Sequence, residues 1–387
     1  MTTITRRPNR RTNRPRPANP PQTVRRGAPL RYVILLAAVV LLLGAGLVLV
    51  LSASAVTGLD QTGQTYFFFL RHLRYLVLAT VALLIMMRVD YRRLRAAVVP
   101  LAICTVAGLV TVMLQGESVN GSQRWLDAGP VNVQPSEFAK LALVLWLAYF
   151  LEQRRHQLAR PVRIIRPVAL VVGAVGFLVM QQPDLGTTII LGVIALGMLF
   201  AAGVPCRDIT KLAATGAGVA MVLAWNGEAY RRDRIIGFLN PIETRQDEGY
   251  QVFQSLVGLA NGGVRGVGLG SGQAKWGWLP NAHTDFIFAI IGEELGLVGA
   301  LVVLGLFASI GVLGFRISDH APDMFGSLLA AGISTWFMIQ VLVNIGGVVG
   351  LLPITGVTLP FLSFGGSSLL ANSVAMGILL NIGRQSR

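Results

Sequence analysis

The chain has 387 residues, of which 53% are hydrophobic and 13% charged. Soluble domains carry about 25% charged residues, so this deficit excludes an ordinary soluble protein. The net charge is +15, but nine of the 33 basic residues lie in the first 31 positions. No basic groove interleaved with aromatics follows them, which argues against nucleic acid as a partner. The two cysteines, Cys104 and Cys206, imply no disulfide framework.

Residues 1–30 are rich in Pro, Arg and Asn and poor in apolar side chains, so they predict a disordered basic cytoplasmic tail that touches anionic lipid. The apolar run after it is too long for a cleaved leader. Segments of about 17–25 apolar residues then recur. They cover 32–52, 67–87, 96–114, 138–151, 168–180, 187–204, 209–225, 286–315, 325–349 and 362–382. The expected fold is therefore all-α, a polytopic membrane bundle of about ten transmembrane helices within residues 31–384.

With the tail inside, the inner segments hold 23 Lys and Arg residues, while the short outer loops hold one, Arg124. That asymmetry puts both termini in the cytoplasm of a multi-pass inner-membrane protein. The long outer loop, 226–285, breaks the pattern with many charges of both signs. A loop of that length is usually functional. Its middle reads as a short amphipathic helix followed by glycine turns, lying on the membrane or dipping into the bundle.

Ionisable groups at membrane depth are costly and mark function. Asp285 ends the run Pro280-Asn281-Ala282-His283-Thr284-Asp285, where the long loop enters the bilayer. It either caps the next helix or serves as a working acid. Glu293 and Glu294 lie deeper in the same span and need a partner on a facing helix, which the sequence does not name. Glu137 and Lys140 are three residues apart after a Pro135-Ser136 helix start, so they form an internal ion pair or a substrate-facing site. Gln182-Pro183-Asp184 makes an outer turn in which Asp184 either caps through Thr187 or meets substrate. Arg71 and Arg74 begin the second span as snorkelling anchors or site cations. Residues 352–368 interrupt an apolar stretch with prolines and glycines around Ser363. Irregular backbone at that depth lines protein or a watery cavity. No HExxH, GxSxG or phosphate-loop pattern is present.

Four stretches now carry a resemblance: LPNAHTDFIFAIIGEELGLVG (279–299), GSQRWLDAGPVNVQPSEFAKLAL (121–143), QQPDLGTT (181–188) and GLLPITGVTLPFLSFGGSSL (350–369). Together they resemble the SEDS family of shape, elongation, division and sporulation proteins. TLPFLSFGGSS and VLVLSASAV look more like its FtsW division branch than its RodA branch. The resemblance implies a peptidoglycan glycosyltransferase that joins lipid II units into glycan strands at the division septum. It also implies partnership with a class B penicillin-binding transpeptidase and divisome membrane proteins.

In that reading Asp285 is the catalytic base. Lys140, Glu137, Arg124, Arg71, Gln182, Asp184, His283 and Ser363 are the expected substrate-binding residues. A divalent cation (Mg or Mn) fits pyrophosphate chemistry, with Asp285 and Glu137 as candidate ligands, though no metal-ligand spacing marks a site. The family often has Glu where Asn281 stands, and Gln where His72 stands. The other readings are a lipid II flippase or carrier, an elongation-type polymerase, and a non-catalytic scaffold.

Overall fold

The computed structural model describes residues 30–119, 122–127, 129, 132–158, 160–225, 237–247 and 249–386. The expected basic tail and the first residues of the long loop lie outside these. Each of the ten apolar segments becomes a helix, because only a helix satisfies its own backbone in lipid. They are α1 (Leu30–Thr62), α2 (Phe67–Arg88), α3 (Leu94–Gln115), α4 (Pro135–Gln153), α5 (Val162–Met180), α6 (Leu185–Ala201) and α7 (Cys206–Trp225). After α8 (Tyr250–Gly262), in the long loop, come α9 (Ile287–Asp319), α10 (Met324–Val348) and α11 (Gly366–Gln385).

Seven of the ten are long and apolar enough to cross a membrane by composition alone. Of the other three, α6 is apolar but shorter, and α4 and α7 carry charges near their ends. Val77, Val81, Ile103 and Phe177 on α2, α3 and α5 are exposed, as lipid-facing side chains are. The two most enclosed spans are α10 and α11. They pack on α4, α6 and α9, and on α2, respectively.

The structure corrects three details. The first helix runs ten residues past its expected end, to Thr62, and the last starts at Gly366, so 362–365 belong to the irregular segment. The loop between α3 and α4 is not plain coil. It holds an antiparallel sheet of β1 (Glu117–Val119), β2 (Ser122–Asp127) and β3 (Asn132–Val133), in the order β1-β2-β3.

At the end of the bundle away from Asp285, Asp323 caps α10 through the Gly326 N–H at 2.7 Å. It also accepts from Tyr91 Oη at 2.9 Å and Arg92 Nε at 2.7 Å. Arg95 forks onto Glu152 at 2.7 and 3.0 Å, tying α3 to α4.

The long loop enters the bundle. As expected it contains a short helix, α8, then glycines at positive φ, including Gly263, Gly266, Gly268 and Gly270. This turn fills a break in α9 at Gly296, whose φ of 69° and ψ of −168° suit glycine alone. Val267 and Gly268 donate to the carbonyls of Glu293 and Glu294, and Leu297 donates back to Gly263. The approach excludes side chains: a Cβ on Gly262 would stand 1.9 Å from the Gly292 oxygen.

The two buried acids of α9 fasten this insertion. Glu293 accepts from the backbone N–H of Gln273 at 3.0 Å and of Ala274 at 3.1 Å. Glu294 pairs with Lys275 at 2.8 Å and accepts from Ser52 Oγ of α1 at 2.7 Å. The expected partner on a facing helix is thus corrected: the loop itself supplies the main partners, and a helix adds only the Ser52 hydroxyl. Removing one member of a buried pair strands the other charge, at a cost of about 3–5 kcal/mol. Lys275→Ala is therefore expected to lower the melting temperature in detergent sharply, and Lys275→Met with Glu294→Leu to recover most of the loss.

Candidate active site

All four resembling stretches meet at one end of the bundle. Asp285 lies in the turn before α9. The N-cap position is Phe286, so Asp285 stands one residue ahead of it. Its turn is closed by Asn281, which holds φ of 57° and whose carbonyl accepts from the N–H groups of Thr284 and Phe286. Asparagine tolerates that left-handed conformation better than glutamate, which gives a local reason for Asn281. Asp285 borders a recess with Asn344, Ile354, Thr355, Gly356 and Val357. The irregular segment after α10 is thus one wall, as its prolines and glycines led us to expect.

Asn344 ties the two together. Its Nδ2 donates to the Asp285 carbonyl at 2.8 Å and to the Val357 carbonyl at 2.7 Å. One turn earlier, Gln340 Nε2 donates to the Thr358 carbonyl at 2.9 Å. Ser363 Oγ accepts from the Leu359 N–H at 2.9 Å, closing the turn in which Phe361 adopts φ of 65°. Sequence reasoning missed both α10 amides. A lone polar residue every fourth position of a buried span was the available signal.

The start of α4 supplies the ion pair. Lys140 Nζ is 2.8 Å from Glu137 Oε2 and 3.0 Å from Gln340 Oε1, with its ammonium 5.2 Å from the Trp336 ring centre. Its side chain is 0% exposed. The internal-pair alternative is therefore realised here, and Glu137 is the member nearer the surface.

The remaining candidates mostly hold backbone. Arg124, on β2, donates to the carbonyls of Gln182 (3.1 Å) and Pro183. Gln182 donates to the Leu109 carbonyl of α3 at 3.1 Å. Asp184 caps α6, accepting from the Thr187 N–H at 3.1 Å and its hydroxyl at 2.8 Å. Gly186 faces Thr355 and Val357, and a Cβ there would stand 2.5 Å from Val357. Gln134 N and the Asn132 carbonyl bind Ser367 Oγ at 2.9 and 3.0 Å, which joins the sheet to α11. Arg71 is half-buried and pairs with no carboxylate among the described residues. It stands one turn after Phe68 on α2.

Among the described residues no three His, Cys, Asp or Glu side chains gather as a metal cage. Glu137 is committed to Lys140. A divalent ion here would need substrate oxygens for most of its ligands, so the protein alone does not build the centre.

His283 is buried between the rings of Phe68 and Phe364, at 5.0 and 5.6 Å. That burial holds its imidazole down to about 4. The folded chain therefore stays unprotonated at His283 through a range where an unfolded imidazole, near 6.5, takes up a proton. Stability falls as pH drops from about 6.5 towards 4, by up to about 3 kcal/mol from this group. Melting curves across that range are expected to be flatter for His283→Phe than for the unaltered chain.

Comparison with known proteins places this arrangement. Residues 33–387 match the model of the cell cycle protein family FtsW/RodA/SpoVE. A probable peptidoglycan glycosyltransferase FtsW of Geobacter metallireducens is 39% identical over 352 residues, covering 90% of this chain and 93% of that protein. Stage V sporulation protein E of Bacillus subtilis is 40% identical over 359 residues, covering 92% and 97%. A chain of a peptidoglycan synthase complex, solved for its coordination of polymerization and crosslinking, superposes with a TM-score of 0.75 at 29% identity. It covers 91% of this chain and 97% of that one. The rod shape determining protein RodA of Thermus thermophilus gives 0.67 at 27% identity, covering 91% and 96%. With its motifs, its ten-span order and these likenesses in agreement, the chain belongs to the FtsW/RodA/SpoVE family of membrane proteins, the SEDS family that its sequence resembles.

Proposed function

We propose that this chain is a peptidoglycan glycosyltransferase that polymerises lipid II on the outer face of the cytoplasmic membrane, at the division septum. The observation that carries the reading is the position of Asp285. An acid is fixed beside a recess walled by irregular backbone, in a chain 39% identical to proteins named for this activity.

In the proposed reaction a sugar hydroxyl of one lipid II attacks the anomeric carbon of another. The new glycosidic C–O bond forms as the bond to pyrophosphate breaks. The hydroxyl proton passes to the Asp285 carboxylate, and the lipid pyrophosphate leaves with the bonding electrons. A positioned base of this kind contributes about 10²–10⁴-fold. Unlike a glycosidase leaving group, pyrophosphate leaves as an anion and needs positive charge rather than a second acid.

Arg71 is our choice for the cation that meets that anion, since it is half-buried at the start of α2 and no carboxylate among the described residues pairs with it. Lys140 and Arg124 contribute at one remove. The first holds Glu137 and the second holds the Gln182–Pro183 turn. Gln182, Asp184, His283 and Ser363 shape the pocket through the backbone and ring contacts described above. If a divalent ion takes part, Asp285 and the substrate's own oxygens would hold it, since Glu137 pairs with Lys140, and it would supply positive charge to the leaving group. The likeness to a chain of a synthase complex supports a class B penicillin-binding transpeptidase as partner.

A broken helix such as α9 also suits a lipid carrier. In this chain the backbone groups freed at the break are taken by the glycine turn, Val267 and Gly268 donating to the Glu293 and Glu294 carbonyls, which favours the polymerase. Purified chain with lipid II, magnesium and a penicillin-binding partner is expected to yield glycan polymer. Asp285→Ala is expected to lose about 10²–10⁴-fold of that activity with unchanged expression, and Arg71→Ala about 10²-fold. Polymerisation at the original rate by Asp285→Ala rejects the base. Translocation of lipid II in liposomes without polymer favours the carrier.

A further inference from the structure

Gln340 and Asn344 lie one turn apart on α10, on the same face. Gln340 is fully buried and Asn344 is nearly so. Neither is needed to make the span, and polar side chains in such a place are expected to have work to do. Gln340 Oε1 accepts from Lys140 Nζ at 3.0 Å and from Trp336 Nε1 at 2.7 Å, while its Nε2 grips the Thr358 carbonyl. Asn344 Nδ2 grips the adjacent carbonyl, Val357, and the carbonyl of Asp285 itself. Continuous contacts thus run from the Glu137–Lys140 pair through Gln340, the 357–358 backbone and Asn344 to the turn that carries Asp285. Thr358 is fixed from the far side as well, its hydroxyl donating to Ser368 Oγ of α11 at 2.8 Å.

We infer that Gln340 and Asn344 are positioning residues, two rungs on α10 that set the Asp285 carboxylate relative to the Glu137–Lys140 pair by holding the 357–358 backbone between them. The inference rests on the polymerase reading for its kinetic consequence but not for its geometry. A shift of about 1 Å at a reacting group costs about 10²-fold. Asn344→Ala, and the isosteric Asn344→Asp, which lacks the donor, are expected to lower kcat about 10- to 100-fold. KM is expected to stay within about twofold.

A role in stability alone predicts something else. No hydrogen bond joins Lys140 directly to Asn344, so if each only stabilised the fold the losses from Lys140→Met and Asn344→Ala would multiply and follow the melting temperature. Positioning through shared rungs predicts a double variant within about threefold of the worse single one. Hydrogen exchange gives a readout free of activity. Lys140→Met is expected to speed exchange of the 284–289 amides in the unaltered Asn344 background, and to add little once Asn344 is Ala. Should Asn344→Ala fail to fold, Asn344→Asp takes its place in both experiments. Multiplying kcat losses, or exchange at 284–289 that ignores Lys140, overturns the inference. Absence of polymer from the unaltered chain overturns the polymerase reading instead, and the exchange experiment still decides the rungs.

Discussion

Backbone that leaves the helix at membrane depth has to find its hydrogen bonds inside the protein. Residues 353–365, between α10 and α11, face this constraint, and the site is organised around how they meet it. Two amides of α10 take the carbonyls of Val357 and Thr358, a serine takes the Leu359 N–H, and Phe364 donates to the His283 carbonyl at 2.9 Å. Three of these bonds also draw in another stretch of chain. Asn344 reaches Asp285, Gln340 reaches Lys140, and His283 reaches the start of α2 through Phe68. Satisfying one irregular segment therefore assembles residues from α2, α4, α10 and the turn before α9 at a single end of the bundle.

The same constraint explains the second irregular place, the break in α9. Its freed backbone groups are taken by the glycine turn of the long loop. Glu293 and Glu294 clamp that turn through two backbone N–H groups and Lys275. Only two helical turns separate this clamp from Asp285. The loop is in this way a brace for the helix that begins beside the acid.

Much of this was legible beforehand. Ten apolar segments predict ten spans because a helix in lipid needs little else. Glu137 and Lys140 could be paired from their spacing, and Asp184 could be read as a cap from Thr187. Other features were hidden for a physical reason. Lys275 and Ser52 lie 19 and 242 positions from Glu294, and no local periodicity links them. Arg124, Gln182 and Ser363 look like binding residues from their side chains alone. In the fold they spend their hydrogen bonds on carbonyls and N–H groups that only the tertiary arrangement brings near.

The central claim is that these four stretches build one lipid-linked sugar site beside Asp285. Photocross-linking of the purified chain with a diazirine-bearing lipid II, mapped by mass spectrometry, tests it most directly. The account predicts labelled peptides covering 281–286 and 353–358, with labelling displaced by unmodified lipid II. Displaceable labelling confined to the outward faces of α3 and α5, with neither of those peptides marked, would contradict it.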